Sequence, residues 1–302
     1  MFRGSPILLP TDFSDYSYHA AKYAVAFAKK YGNSIHLLHV IETRKGYPYS
    51  KKVEHEDLSQ LELTARDKLD EFKRAIEIPG LCLTCHVAKG KAWTKITEHA
   101  QKENCSLVVI AAHGRAGLDR FVFGSVAERV VRYASTPCLV VKHPEQECVS
   151  DSYEFSIKRV MLPTDFSAEV EKALPYAISM CREFHALLLL LHVMEMPVVM
   201  PEFMPDTGAM LGADTHEYAE DLLNRVRNAI TEISVETSLR TGVPYREICA
   251  AVQEMNVDLI LIPAHRTPGL VHAIFGSVAE KVVRRAPCPV LTLPLPKEEQ
   301  KS

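Results

Sequence analysis

The chain states its own architecture twice. Leu9-Pro10-Thr11-Asp12-Phe13-Ser14 returns as Leu162-Pro163-Thr164-Asp165-Phe166-Ser167, and Phe123-Gly124-Ser125-Val126-Ala127-Glu128 returns as Phe275-Gly276-Ser277-Val278-Ala279-Glu280. The offset is 153 residues from Asp12 to Asp165 and 152 from Gly124 to Gly276. Two segments so far apart keep a common offset only if the whole unit was duplicated. A chain of 302 residues is therefore read as two like domains of about 150 residues, a comfortable size for one core each. Their expected bounds are 1–143 and 157–296, with a linker at 144–156 and a tail at 297–302. The linker holds Pro144 and many charged residues, so few contacts are expected to cross it.

Each half alternates short apolar runs with amphipathic stretches, the pattern of a parallel sheet covered by helices on both faces. The expected fold class is α/β, two tandem doubly wound domains with five parallel strands each. In the first half the strands fall at Pro6–Pro10, Ser34–Ile41, Leu81–Ala88, Ser106–Ala111 and Pro137–Val141. In the second they fall at Arg159–Pro163, Ala186–Met194, Val235–Arg240, Asp258–Pro263 and Pro289–Leu293. The first helix of each half opens at a serine suited to N-capping, Ser14 and Ser167. Further helices of the first half are expected at His55–Ile76, Trp93–Glu103 and from Gly124 to Ala134.

A net charge of −3 with dispersed lysine and arginine offers no basic stripe, so nucleic acid is not an expected partner. The longest apolar run, Ala186–Leu191, is too short to span a bilayer. The amino terminus turns polar at Thr11-Asp12 before a signal core forms, so no membrane partner and a cytoplasmic location are expected.

Cys82-Leu83-Thr84-Cys85-His86 matches a haem-attachment pattern, and Cys-x-x-Cys alone also suggests zinc or redox chemistry. The segment reads as a strand, where residues three apart point to opposite faces. The cysteines are therefore expected as reduced thiols packed on a buried strand. The stretch from Met194 to Asp214 contains Pro197, Pro201, Pro205, Gly208 and Gly212, which is expected to forbid a long helix or strand. Its methionines, Met194, Met196, Met200, Met204 and Met210, fit an adaptable apolar loop or, as the other reading, a soft-metal site. No residue set is singled out as a metal site.

In an open parallel sheet a ligand sits beyond the carboxyl ends of the strands, at the switch point of the topology. Two repeated loops occupy such ends: Pro10-Thr11-Asp12, and Ala111-Ala112-His113-Gly114 running on to Gly124-Ser125. Glycines let backbone approach a ligand, and the helix that begins at Gly124-Ser125 offers a positive dipole end to an anion. The inferred ligand is a phosphate compound.

On these motifs both halves resemble universal stress protein domains, whose nucleotide-binding members carry Gly, two residues, Gly, nine residues and Gly-Ser or Gly-Thr after the fourth strand. The resemblance implies an adenine nucleotide alpha hydrolase-like fold. Here the first half reads Ala111, Gly114, Gly124, Ser125 in that register, with one glycine replaced. By resemblance, Asp12 and the Val40 backbone meet adenine and ribose, while Gly114, Gly124, Ser125 and Val126 meet the phosphates, with His113 beside them. The bland alternatives are a loop cap for Asp12 and a surface residue for His113. The second half reads Pro263, Arg266, Gly276, Ser277. A residue without an N–H and a long cation stand where glycines belong, so this site, with Asp165, Val193, Arg266, Gly276, Ser277 and Val278, is expected to be degenerate. Arg266 either pairs with Asp165 and fills the crevice or grips a phosphate from another direction.

The resulting expectation is a stress-response protein that binds ATP, or AMP or ADP, in its first domain, with magnesium compatible with the phosphates, as a non-catalytic sensor or regulator. The alternatives are a scaffold or non-nucleotide binder with both sites degenerate, and a slow ATPase. No Walker loop and no acidic cluster flank Gly114 or Gly124. By resemblance, the last strands pair and make one chain an intramolecular pseudo-dimer, with a homodimer as the other assembly.

Overall fold

The computed structural model describes residues 2–42, 56–114, 123–142, 148–195, 207–266, 273–274 and 276–296. The chain divides into two compact units at Ser156 and Ile157, with the described residues of 265–274 and those from Leu291 onward grouping with the first.

The first unit begins with β1 (Ile7–Pro10), α1 (Asp15–Tyr31), β2 (Ile35–Ile41), α2 (Glu56–Ile76) and β3 (Leu83–Lys89), then α3 (Ala92–Lys102), β4 (Leu107–Ala111), α4 (Ser125–Tyr133) and β5 (Cys138–Val141). Its strands lie in the order β3-β2-β1-β4-β5, and each adjacent pair is parallel. The chain winds from β1 out to β3 and then returns to the other side of β1, so the switch point lies between β1 and β4. Strands covered on both faces need apolar side chains on both, and Ile7, Leu8, Leu9, Leu107, Val108 and Val109 are all wholly buried.

Helix α1 starts where the chain predicts. Ser14 is extended, its side chain accepts from the Ser17 amide, and Gly32 closes the helix in the left-handed region at φ 70°. Ala20, Ala21, Ala24 and Phe27 face the core.

Beyond Ile157 the chain continues with β6 (Arg159–Thr164), α5 (Ala168–Phe184), β7 (Leu187–Met194), α6 (Thr207–Ala229), β8 (Val235–Thr241), α7 (Pro244–Glu254), β9 (Leu259–Arg266), β10 (Ala273–Ile274) and α8 (Ser277–Arg285), and β11 (Val290–Pro296) ends the described chain. The order β9-β6-β7-β8 reproduces the first unit's β4-β1-β2-β3, again all parallel.

Four expectations need correction. The linker is not contact-poor: Val149 bridges Phe155, and Phe155 sits edge-on to Phe27 of α1 at 4.8 Å. Lys22 and Lys29 of α1 pair with Asp151 and Glu154. A few apolar anchors in a polar segment, Cys148, Val149 and Phe155, suffice to dock it. The stretch to Asp214 is not all irregular, because α6 begins at Thr207 and takes in Gly208 and Gly212; a helical glycine costs about 1 kcal/mol, which a 23-residue helix absorbs. Residues 196–206, with Met196, Met200 and Met204, lie outside the described residues. Cys82 and Cys85 are exposed rather than buried, because β3 is the edge strand. Finally, β9 does not end at Pro263 but runs to Arg266 and pairs antiparallel with β10, Arg266 opposite Ala273.

Candidate functional site

The two repeated loops of the first unit meet at the carboxyl ends of β1 and β4. Thr11 is buried, its amide donates to the Leu38 carbonyl at 2.9 Å, and its hydroxyl accepts from the Phe13 amide at 3.0 Å. That turn forces Phe13 into the left-handed region at φ 64°. Pro10, the last residue of β1, precedes it with no amide to satisfy.

The Asp12 carboxylate is held on one side. Its Oδ1 accepts from the Ser14 amide at 3.1 Å, the Ser14 hydroxyl at 2.6 Å and the Ser17 hydroxyl at 2.7 Å. Asp12 is thus the loop cap that residue type suggests, and its other oxygen, Oδ2, is turned to the second loop. A β-carbon placed on Gly114 would lie 2.7 Å from Oδ2. A side chain here would push the carboxylate off the bonds that hold its other oxygen.

His113 is half-buried and its ring lies 5.3 Å from Tyr16. Ala111 ends β4, and the Ala112 amide donates to the Val141 carbonyl at 2.7 Å. Gly124, the N-cap of α4, donates its own amide to the Ala112 carbonyl at 2.8 Å. A β-carbon there would meet the same carbonyl at 3.0 Å. The Gly124 amide is therefore occupied in closing the loop. Helix α4 has no side-chain cap hydrogen bond, so Ser125 and Val126 begin a turn whose amides point to the loop side. Val40 stands near the carboxyl end of β2, half-buried and in register with Ala88.

Sequence reasoning overlooked His39. Its Nδ1 lies 2.8 Å from the Thr11 carbonyl and its ring 4.4 Å from Phe13. His192 repeats both contacts, 2.7 Å from the Thr164 carbonyl and 4.6 Å from Phe166. The signal was present: His39 and His192 are separated by the same 153 residues as the aspartates.

The second unit keeps the turn but not the clamp. Phe166 is again left-handed at φ 59°, yet Asp165 is exposed and accepts from the Ser167 amide at 3.0 Å. Ser167 makes no side-chain cap bond, and Val170 stands where Ser17 does in the first unit. A β-carbon on Gly276 would meet nothing within 4 Å. Ser277, exposed, and Val278, half-buried, open α8, and Val193 keeps its place on β7 opposite Arg240. The Arg266 side chain, and with it any pairing to Asp165, lies outside the described residues.

A cleft of about 450 Å3 opens elsewhere in the first unit, at the amino ends of the strands, between Ser5, Asn33, Ile78 and Cys82. Its Asn33 amide is engaged by the Phe2 and Ser5 carbonyls, and the cleft touches neither repeated loop.

A family model described as the universal stress protein family matches residues 5–142 and again 156–294. A universal stress protein of Methanocaldococcus jannaschii is 33% identical over 142 residues, covering 47% of this chain and 84% of that protein. A second from the same organism is 29% identical over 151 residues, covering 45% of this chain and 93% of its own length. The solved structure of a universal stress protein from Archaeoglobus fulgidus aligns over 97% of both chains with a TM-score of 0.67 and 25% identity. One from Pseudomonas aeruginosa, at 16% identity and a TM-score of 0.61 over 96% of this chain and 92% of its own, shares the fold.

Proposed function

This chain belongs to the universal stress protein family in both of its halves, and we propose that its first domain binds ATP or a related adenine nucleotide as a non-catalytic sensor or regulator of a stress response. The observation that carries the proposal is the close approach of Gly114, which brings the fourth-strand loop against the Asp12 carboxylate at the switch point. Asp12 Oδ2 is the acceptor for a ribose hydroxyl or the adenine amine, and the uncapped start of α4, at Ser125 and Val126, receives the phosphates with any magnesium they bring. Pro10, Thr11, Val40, Ala111 and His113 frame the pocket. The second domain, with Asp165 unclamped and β9 extended through Arg266, is the degenerate copy.

The competing proposal, a scaffold or a binder of some other ligand, draws on the engaged Gly124 amide and on Ala111 in place of glycine. Denaturing the purified chain, assaying the supernatant for adenine nucleotide and then titrating the refolded or nucleotide-stripped chain with ATP by calorimetry separates the two. About one nucleotide per chain, lost in Asp12→Ala, supports the nucleotide sensor. Flat titrations favour the scaffold, and turnover within seconds makes the chain an ATPase. The same proposal treats one chain as a pseudo-dimer, so sedimentation at the mass of a single chain is expected, and twice that mass identifies a homodimer.

A further inference from the structure

Three histidines that no nucleotide pocket needs converge on one face of the first sheet. His36 on β2 is in register with Thr84 and Leu38 with His86, so His36, Thr84 and His86 share one side of the two strands. Helix α3 crosses that side and brings His99. The His36 Nδ1 and His99 Nε2 atoms are 3.1 Å apart, and ring centroids separate by 4.9 Å for His36 and His86, 5.3 Å for His36 and His99, and 4.6 Å for His86 and His99. One nitrogen from each of the three lies within 4.8 Å of the others, and all three rings are half-buried. Their residue numbers span three separate elements, so only the fold assembles them.

We propose that His36, His86 and His99 form a binding site for one divalent transition metal of the zinc type. Three imidazoles on a tetrahedral zinc at 2.0–2.1 Å have nitrogens roughly 3.3 Å apart, so the observed spread closes around an ion with small ring rotations. Imidazole is a donor suited to zinc, copper and nickel. The fourth position falls to water, as in three-ligand zinc sites.

The protonation state fits ligation. Burial, then the His86 and His36 rings, push His99 down to about 4. Burial lowers His36 and His86 as well, with the nearby Glu103 carboxylate opposing the shift in all three. At neutral pH each ring is neutral and holds a lone pair in its plane, and an ion displaces the proton shared between His36 and His99. The Cys-x-x-Cys-His motif contributes only its histidine, because Cys85 faces the other side, next to Asp70 of α2.

The duplication supplies an internal control. The positions equivalent to His36, His86 and His99 in the second unit are Leu189, Ser238 and Ala251. The fold is built there without histidines, so packing alone does not call for them. His36 also lies four residues before Val40, roughly 13 Å along the strand, so an ion here is separate from one carried by nucleotide phosphates.

The test uses the untagged full chain, stripped with a chelator, and titrated with zinc chloride by calorimetry and with cobalt(II) by visible absorption. One ion per chain, a tetrahedral cobalt spectrum, and a raised melting temperature with zinc are expected. His86→Gln and His99→Gln, each verified as folded by circular dichroism, are expected to weaken zinc binding on the order of 100-fold, at least the cost of losing an outer-shell partner. Asp12→Ala leaves zinc binding unchanged, which keeps this result apart from the nucleotide titration. No binding to the native chain, or native affinity in both glutamine variants, overturns the proposal.

Discussion

The Ser17 hydroxyl donates to Asp12 Oδ1 over 2.7 Å, and it is the contact by which the two repeats part company. Val170 takes its place in the second unit and is buried there. Removing one donor from a carboxylate in a part-buried loop costs about 1–2 kcal/mol. Ser17→Ala is accordingly expected to lower the unfolding free energy read from urea titration by that amount. It also lets Asp12 turn away from Gly114, so ATP affinity falls with stability. A variant that loses neither leaves the clamp without a role.

Gly114→Ala places a methyl group 2.7 Å from Asp12 Oδ2, whereas Gly276→Ala meets open space. The first substitution is expected to weaken ATP binding by about tenfold or more, roughly 1.4 kcal/mol, with little change in circular dichroism. The second leaves ATP binding untouched and costs at most about 1 kcal/mol as an N-cap change. Equal titration curves for both variants would contradict the placement of the pocket.

For the metal-free chain a pH dependence follows from His99. Its folded value of about 4 lies below the ordinary 6.5, so the unfolded chain takes up the proton first as pH falls. The stability held by the neutral ring is complete above about 6.5 and is lost between there and 4. The groups that face it are His36, His86, Lys102 and Glu103. Urea unfolding in chelator at pH 7.5, 6, 5 and 4.5 is expected to show a steeper decline for the native chain than for His99→Gln.

Thiol reactivity divides the cysteines. Burial pushes Cys138 and Cys181 up to about 12 and Cys105 up to about 11, while Cys82 and Cys85 are exposed. Brief maleimide labelling of the native chain, read by peptide mass, is expected to modify Cys82 first and to spare Cys105, Cys138 and Cys181 until denaturant is added. Early modification of Cys138 would mean that the β5 core opens far more readily than its burial implies.

Much of this was legible because local periodicity and repetition are written in the chain. The strands β1, β2 and β4, the cap at Ser14 and the helix start after Ser167 follow from apolar runs and turn residues close in sequence. The loops carrying Asp12 and Gly114 were found because each occurs twice. Errors arose where a neighbour in space overrode composition. The polar linker docked on α1 through Phe155, and β9 ran past Pro263 because β10 offered a partner for His265 and Arg266.

The amino-acid order alone determined the duplication, the alternation of strand and helix, and the loops that close each sheet, since these depend on residues near one another or on patterns stated twice. Only tertiary structure decided that Gly114 presses on Asp12 and that His36, His86 and His99 share a corner. Strand register and helix crossing set those distances, and neither is encoded in the spacing of any one segment.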